Sequence, residues 1–181
     1  MICNKNKFIF IHIPRTGGTS IEHLLGKKDE VGKHDSLFSL EKKFDTSNFF
    51  KFSFIRNPWD ITISKYFAPY YCKINQLSNH SLLYFLNNYY SAPHEAGDLF
   101  HDYFDPSKMD FIGRFETREK DLDYISSKIG VRFDPKFSVK EKEMKKKNSK
   151  KHYTEYYDDE TRQIVAEKYA KDIEYFGYDF E

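Results

Sequence analysis

Several things are scarce in this chain, and each scarcity narrows what it can be. Cysteine occurs twice in 181 residues, at Cys3 and Cys72. Two cysteines make neither the disulfide framework of a small secreted domain nor a metal-ligand cluster. No apolar run approaches the roughly 18 to 20 residues that a membrane-crossing helix needs. The first predicted strand starts near residue 7. That leaves no room for a secretory leader, so the expectation is a cytoplasmic protein without a membrane anchor. Net charge is only +1, which excludes a globally basic nucleic-acid binder. No internal repeat is visible. Aromatic residues are abundant, at 18%, and the phenylalanines concentrate in predicted strands, where burial accounts for most of them. The length suits one domain, 1–181, with one substantial core.

Against that plain background two stretches stand out. The first is FIFIHIPRTGGTS, residues 8–20. Phe8 to Ile13 is a β-branched and aromatic run, apolar on both alternations apart from His12, as in a strand covered on both faces of a parallel sheet. Pro14 cannot extend the ladder, and Gly17-Gly18 permit backbone angles closed to other residues. Ser20 to Leu25 then reads as a helix, with Ile21, Leu24 and Leu25 on one face and Gly26 as its stop. A glycine turn leading into a helix N-terminus converges N–H groups on one point and favours an anion there, with phosphate the first candidate. It is not a Walker A loop: the cation, Arg15, precedes the glycines and no lysine follows them. The adjacent glycines also break the dinucleotide fingerprint. Taken alone, the stretch is also open to a plainer reading, a turn that lets a helix pack closely on a sheet.

The second stretch is FFKFSFIRNPWDITISKYF, residues 49–67. Phe50, Phe52 and Phe54 share one face of a strand, and Ser53 and Ile55 share the other. Asn57 suits a helix N-cap, Pro58 the first helical position, and Asp60 the acidic first turn. Arg56 therefore stands at a strand end beside a helix start, with Ser64 two turns along. Two partners are open to Arg56: Asp60, as an ordinary ion pair, or a phosphate. Two such units with a cation at each strand end suit a ligand carrying two separated phosphates.

The remaining organisation is simple. Residues 27–48 are polar and loop-like. HSLLYFLNNYY predicts a short helix with Leu82, Leu83, Leu86 and Tyr90 inward. Residues 110–116 predict a third strand, followed by a helix carrying Leu122, Ile125 and Ile129 and stopped by Gly130. Residues 159–176 predict one last helix with Val165, Tyr169, Ile173 and Phe176 inward. Strands alternating with helices give an α/β fold, a single domain with a P-loop-like parallel sheet flanked by helices and ligands at the strands' carboxyl ends.

HIPRTGGTS and FIRNPWDITISKYF together resemble the two cofactor-binding signatures of sulfotransferases that use 3′-phosphoadenosine 5′-phosphosulfate (PAPS). The resemblance is greatest to the carbohydrate sulfotransferase branch and its small bacterial or viral relatives. DFIGRFETREKDLDYISSKIG (110–130) and YYDDETRQIVAEKYAKDIEYFGYDFE (156–181) extend it, so that it covers about two thirds of the sequence and leaves 69–108 as an unmatched, acceptor-side insertion. It implies that Arg15, Thr16, Gly17, Gly18, Thr19 and Ser20 hold the 5′-phosphosulfate and that Arg56 and Ser64 hold the 3′-phosphate, with PAP as product and no metal. Many members carry lysine where Arg15 stands; arginine keeps the charge. The implied reaction is in-line transfer of the sulfuryl group to a hydroxyl, on a glycan or a small molecule, with Arg15 facing the charge that develops.

That chemistry needs a base, and there are seven histidines. His12 in the strand and His23 on the first helix have structural readings. His34, in GKHDS, resembles the family histidine that follows the first strand–helix unit and serves as base. His94, His101 and Glu116 are the alternatives, with His80 and His152 further candidates. KEKEMKKKNSKK, residues 140–151, holds seven lysines and two glutamates. On charge pattern it is a solvated connector, whereas its place resembles a family loop that closes over the cofactor through Lys150 or Lys151. Two other classes stay open: a P-loop-type nucleotide kinase and a non-catalytic nucleotide binder.

Overall fold

The computed structural model describes residues 1–26, 32–68, 80–89, 99–133 and 151–181. They fall into two compact units, each drawn from two separated stretches: 1–55 with 96–149, and 56–95 with 150–181.

The first unit holds a four-stranded sheet of β1 (Ile2–Cys3), β2 (Phe8–Ile11), β3 (Phe50–Ile55) and β4 (Phe111–Arg114), side by side in that order. β2, β3 and β4 are parallel, as an α/β fold requires; β1, which has no signal in the sequence, adds antiparallel to β2. β2 ends at Ile11, not at the expected Ile13. Beyond it, backbone carbonyls take partners outside the ladder: that of His12 accepts from His34 and that of Ile13 from Thr16. β4 also stops short of the expected 116. Asp121 accepts from the Arg114 N–H at 2.8 Å and from the Thr117 hydroxyl at 3.0 Å, and residues 115–117 turn into a single 3₁₀ turn.

One face of the sheet carries Phe8, Phe10, Phe52 and Phe54. They form one core cluster with Ile21 and Leu25 of α1 (Gly18–Leu25) and with Ile125 and Ile129 of α5 (Arg118–Ile129). Phe10 and Phe52 stack across neighbouring strands with ring centroids 5.2 Å apart. The alternate residues, Ile9, Ile11, Ser53 and Ile55, are buried as well, in line with strands apolar on both alternations. Ser53 is accommodated there because its hydroxyl donates to the Ile11 carbonyl at 2.8 Å. α2 (Leu37–Glu41), capped by Ser36, docks through the Leu37 N–H on the Tyr103 carbonyl, 2.7 Å away.

The second unit is helical: α3 (Pro58–Tyr66), α4 (Leu82–Tyr89), α6 (Asp159–Lys168) and α7 (Ala170–Phe176). Asn57 caps α3 as expected, its side chain accepting from the Trp59 and Asp60 N–H groups. α3 and α4 both pack on α6. The Trp59 indole N–H donates to the Arg162 carbonyl at 3.0 Å, and the Asn57 amide donates to the Asp179 carbonyl at 2.8 Å. α4 buries Leu82, Phe85, Leu86 and Tyr89, the i, i+3, i+4, i+7 stripe. That replaces the expected set: Leu83 is half-buried, and Tyr90 lies outside the described residues. The expected single helix over 159–176 divides at Tyr169, whose angles are φ −102 and ψ 16. The Tyr169 ring is fully buried and its hydroxyl accepts from Lys65 Nζ at 3.1 Å. After the break Asp172 is the buried position, with Ile173 and Phe176 half-buried. Among the described residues, no helix is long and apolar enough to cross a membrane.

Phe52 is fully buried at the centre of the core and Tyr175 is 60% exposed. Phe52→Ala is expected to cost about 3–5 kcal/mol in chemical denaturation, and Tyr175→Ala less than about 0.5 kcal/mol. Comparable losses in the two variants would contradict this core.

Candidate active site

The site of the first unit is built where β2 gives way to α1. Thr16 is fully buried, and its N–H and hydroxyl both donate to the Ile13 carbonyl, at 3.5 and 2.9 Å. Its side chain thus serves to bend the turn. Arg15 is exposed and takes a left-handed conformation, φ 69, which costs a non-glycine residue roughly 1–2 kcal/mol. Gly17 follows at φ 82, where glycine is at no disadvantage. α1 begins at Gly18 with neither a side-chain cap nor an acidic residue in its first turn. Nothing within the helix offsets the positive end of its dipole, and this is the setting that attracts an anion. The Thr19 hydroxyl is already met by a cation, accepting from Lys33 Nζ at 3.2 Å.

Gly18 is required for a second reason. A Cβ at that position would run into the imidazole of His12. His12 is buried, with Nδ1 3.1 Å from the Glu22 carboxylate of α1. Burial pushes its pKa down from 6.5 to about 4, against the opposing pull of the Glu22 hydrogen bond. The structural reading of His12 holds. Its ring meets that of His34 edge-on, centroids 4.5 Å apart, and its carbonyl lies 2.9 Å from His34 Nδ1. A carbonyl can only accept, so Nδ1 of His34 carries the hydrogen and Nε2 presents a lone pair. A histidine held in this tautomer beside an anion-favouring turn can accept a proton there.

In the second unit Arg56 pairs with Asp60 in the first turn of the helix that follows it. Its Nε and Nη2 fork onto the two Asp60 oxygens, each at 2.8 Å. Asp60 and Ser64 are four residues apart on α3 and so share a face, with Ser64 half-buried, while Arg56 stands just ahead of the Asn57 cap. Among the other candidates, His23, Glu116, His80 and His152 are exposed and His101 is half-exposed. Lys151 is exposed just before the turn at 153–156. Lys150, His94 and most of the 69–108 and 140–151 segments lie outside the described residues.

Two cations at the turn escaped the sequence reading. Lys33 adjoins His34 in GKHDS, a signal that was available. Arg118 opens α5 about a hundred residues after the turn, and its guanidinium comes up against Gly17. Only the fold brings it there.

Residues 103–179 match the sequence profile of the sulfotransferase family. The structure is similar to that of mouse sulfotransferase SULT7A1, a crystal structure complexed with PAP. The TM-score is 0.61 at 12% identity, over 96% of this chain and 86% of that one. No curated protein sequence matches the chain. A parallel-dominated sheet with a glycine turn opening a helix is a setting that favours an anion at the turn. Residues 103–179, under half of the chain, thus carry the sulfotransferase family match, and the fold is similar to that of a sulfotransferase.

Folded His12 stays neutral down to about pH 4, whereas the unfolded chain protonates it near 6.5. The unfolded state therefore binds more protons between those values. Stability is full above about pH 6.5 and falls toward pH 4 by on the order of 3 kcal/mol from this group. Urea unfolding at about pH 7.5 and about pH 4.5 should show the fall in the parent and a shallower one in His12→Gln. Equal falls would contradict the assignment.

Proposed function

We propose that this enzyme transfers the sulfuryl group of PAPS to an acceptor hydroxyl, with His34 as the base. The observation that carries the reading is the His34 Nδ1 contact with the His12 carbonyl, 2.9 Å. It fixes the tautomer whose free Nε2 can take a proton, on a residue next to the cation that meets Thr19. In the reaction the acceptor oxygen forms a bond to sulfur as the bond from sulfur to the 5′-phosphate oxygen breaks. The acceptor's proton passes to His34 Nε2, and negative charge grows on the departing phosphate. Fixed positive charge and positioning do most of the work in such transfers. Arg15, Lys33 and the N–H groups of Gly17 to Ser20 are the groups to supply it. The mouse sulfotransferase was crystallised with PAP, which supports the same nucleotide as product here.

The resemblance of the second motif supports Arg56 and Ser64 as holders of the 3′-phosphate. Asp60 then acts as the orienting carboxylate that keeps the Arg56 fork in place. The acceptor we propose is a carbohydrate hydroxyl; its support is the resemblance of the two loops to that branch.

Transfer from labelled PAPS to a panel of glycans, alcohols and phenols tests the reaction. His34→Ala should bind PAP normally while kcat falls by about 10² to 10⁴, the range for loss of a general base. Near-normal turnover would place the base elsewhere. Binding of ATP in preference to PAP would sink the donor assignment itself.

Arg56→Ala should weaken PAP by roughly 2–4 kcal/mol, the scale of a lost charge-assisted partner. It should leave adenosine 5′-phosphosulfate, which has no 3′-phosphate, almost unchanged. Calorimetric titration of both ligands decides the point, and equal losses would overturn the assignment.

A further inference from the structure

We propose that Arg118 is a donor-binding residue, its guanidinium supplying fixed positive charge to the anion taken up at the Gly17–Ser20 turn. The identity of that anion rests on the sulfotransferase reading above; the placement of the charge does not.

Arg118 is the first residue of α5 and is only 8% exposed. Arginines are rarely this buried, because drawing a guanidinium out of water costs several kcal/mol before compensation. Its surroundings are specific. The guanidinium lies over the Phe115 ring, 5.0 Å from the centroid, a flat platform that fixes the plane of the fork. It also comes up against the turn itself. A Cβ placed on Gly17 would lie 2.5 Å from Arg118 Nη1 and 3.0 Å from the Phe115 ring. The guanidinium thus occupies the space a side chain at position 17 would fill.

Gly17 is therefore set by two independent demands, its positive φ of 82 and the arrival of this cation. Phe115 meets the same glycine, so platform and charge reach the turn together. At the far side of the turn Lys33 meets Thr19. Cations bracket the turn from two directions, one at Gly17 and one at Thr19. A charge held this far from water acts more strongly on a nearby anion than a surface charge does. A planar fork also suits the paired oxygens of a phosphate or phosphosulfate group.

The experiment is calorimetric binding of inorganic pyrophosphate, PAP and ATP to the full chain and to Arg118→Met and Arg118→Lys, with thermal unfolding of each. Pyrophosphate probes the anion site without any nucleoside. We expect Arg118→Met to weaken pyrophosphate and PAP by roughly 30-fold, the scale of one charge-assisted contact, and to lose part of the salt dependence. Arg118→Lys should recover most of both. Pyrophosphate binding by Arg118→Met equal to the parent's would overturn the proposal. So would no pyrophosphate binding by the parent, or equal weakening in both variants in step with a lowered Tm, which would mark a brace only. Preference of the parent for ATP over PAP would sink the donor reading, yet an Arg118-dependent pyrophosphate affinity would still uphold the charge at the turn.

Discussion

The contact between the His12 imidazole and Gly18 is the constraint from which the first unit's site hangs. His12 stands just past the last paired residue of β2, and its ring fills the space that Gly18 leaves empty at the start of α1. This contact sets how near the helix end approaches the strand end. It also brings Glu22, a turn further along α1, onto His12 Nδ1, and leaves the ring face open to His34. Because β2 has already ended, the His12 carbonyl is available to His34. Fixing His34 carries Lys33 with it, and Lys33 reaches Thr19. A larger residue at position 18 would disturb this whole sequence of placements at its first step.

The helix starts at Asn57 and Gly18 differ in the acids their own helices supply. In the second unit, Arg56 is met by a carboxylate four residues on, in a bidentate fork. The pair is pre-oriented, at the cost of a partly cancelled charge. In the first unit, α1 carries no acid in its opening turn, and the nearest carboxylate of α1, Glu22, is occupied with a buried neutral histidine. The field at the glycine turn is accordingly left positive.

Much of this was legible in the sequence because it is local. Alternation and β-branching marked β2 and β3, and Asn57-Pro58 marked the start of α3 from capping chemistry alone. The turn after β2 was legible from Pro14 and the paired glycines. The parts that were not legible depend on partners distant in the chain. β1 is two residues long and has no periodicity to read. The division of the last helix at Tyr169 involves Lys65, a hundred residues earlier. The α4 stripe runs 82, 85, 86, 89 because Phe85 turns inward where Leu83 was expected. Arg118 hides in the charged run REK, which reads as an ordinary solvated helix start. The hydroxyl of Thr16 bonds the turn's own Ile13 carbonyl, a contact that the sequence does not signal.

The division of the chain into 1–55 with 96–149 and 56–95 with 150–181 has a consequence for how the protein is made. Neither unit is contiguous, so synthesis begins the second before it finishes the first. The sheet gains β4 only when residues 111–114 emerge. The second unit waits longer still: Trp59 needs the carbonyl of Arg162, and Asn57 needs that of Asp179. For most of translation α3 therefore exists without these two partners, its first turn capped by the Asn57 side chain alone. Its apolar residues Trp59, Ile61 and Ile63 are buried in the finished protein, and the Trp59 indole N–H has no native acceptor until Arg162 follows. A nascent chain of this kind is exposed to aggregation late, not early, and closes as a whole.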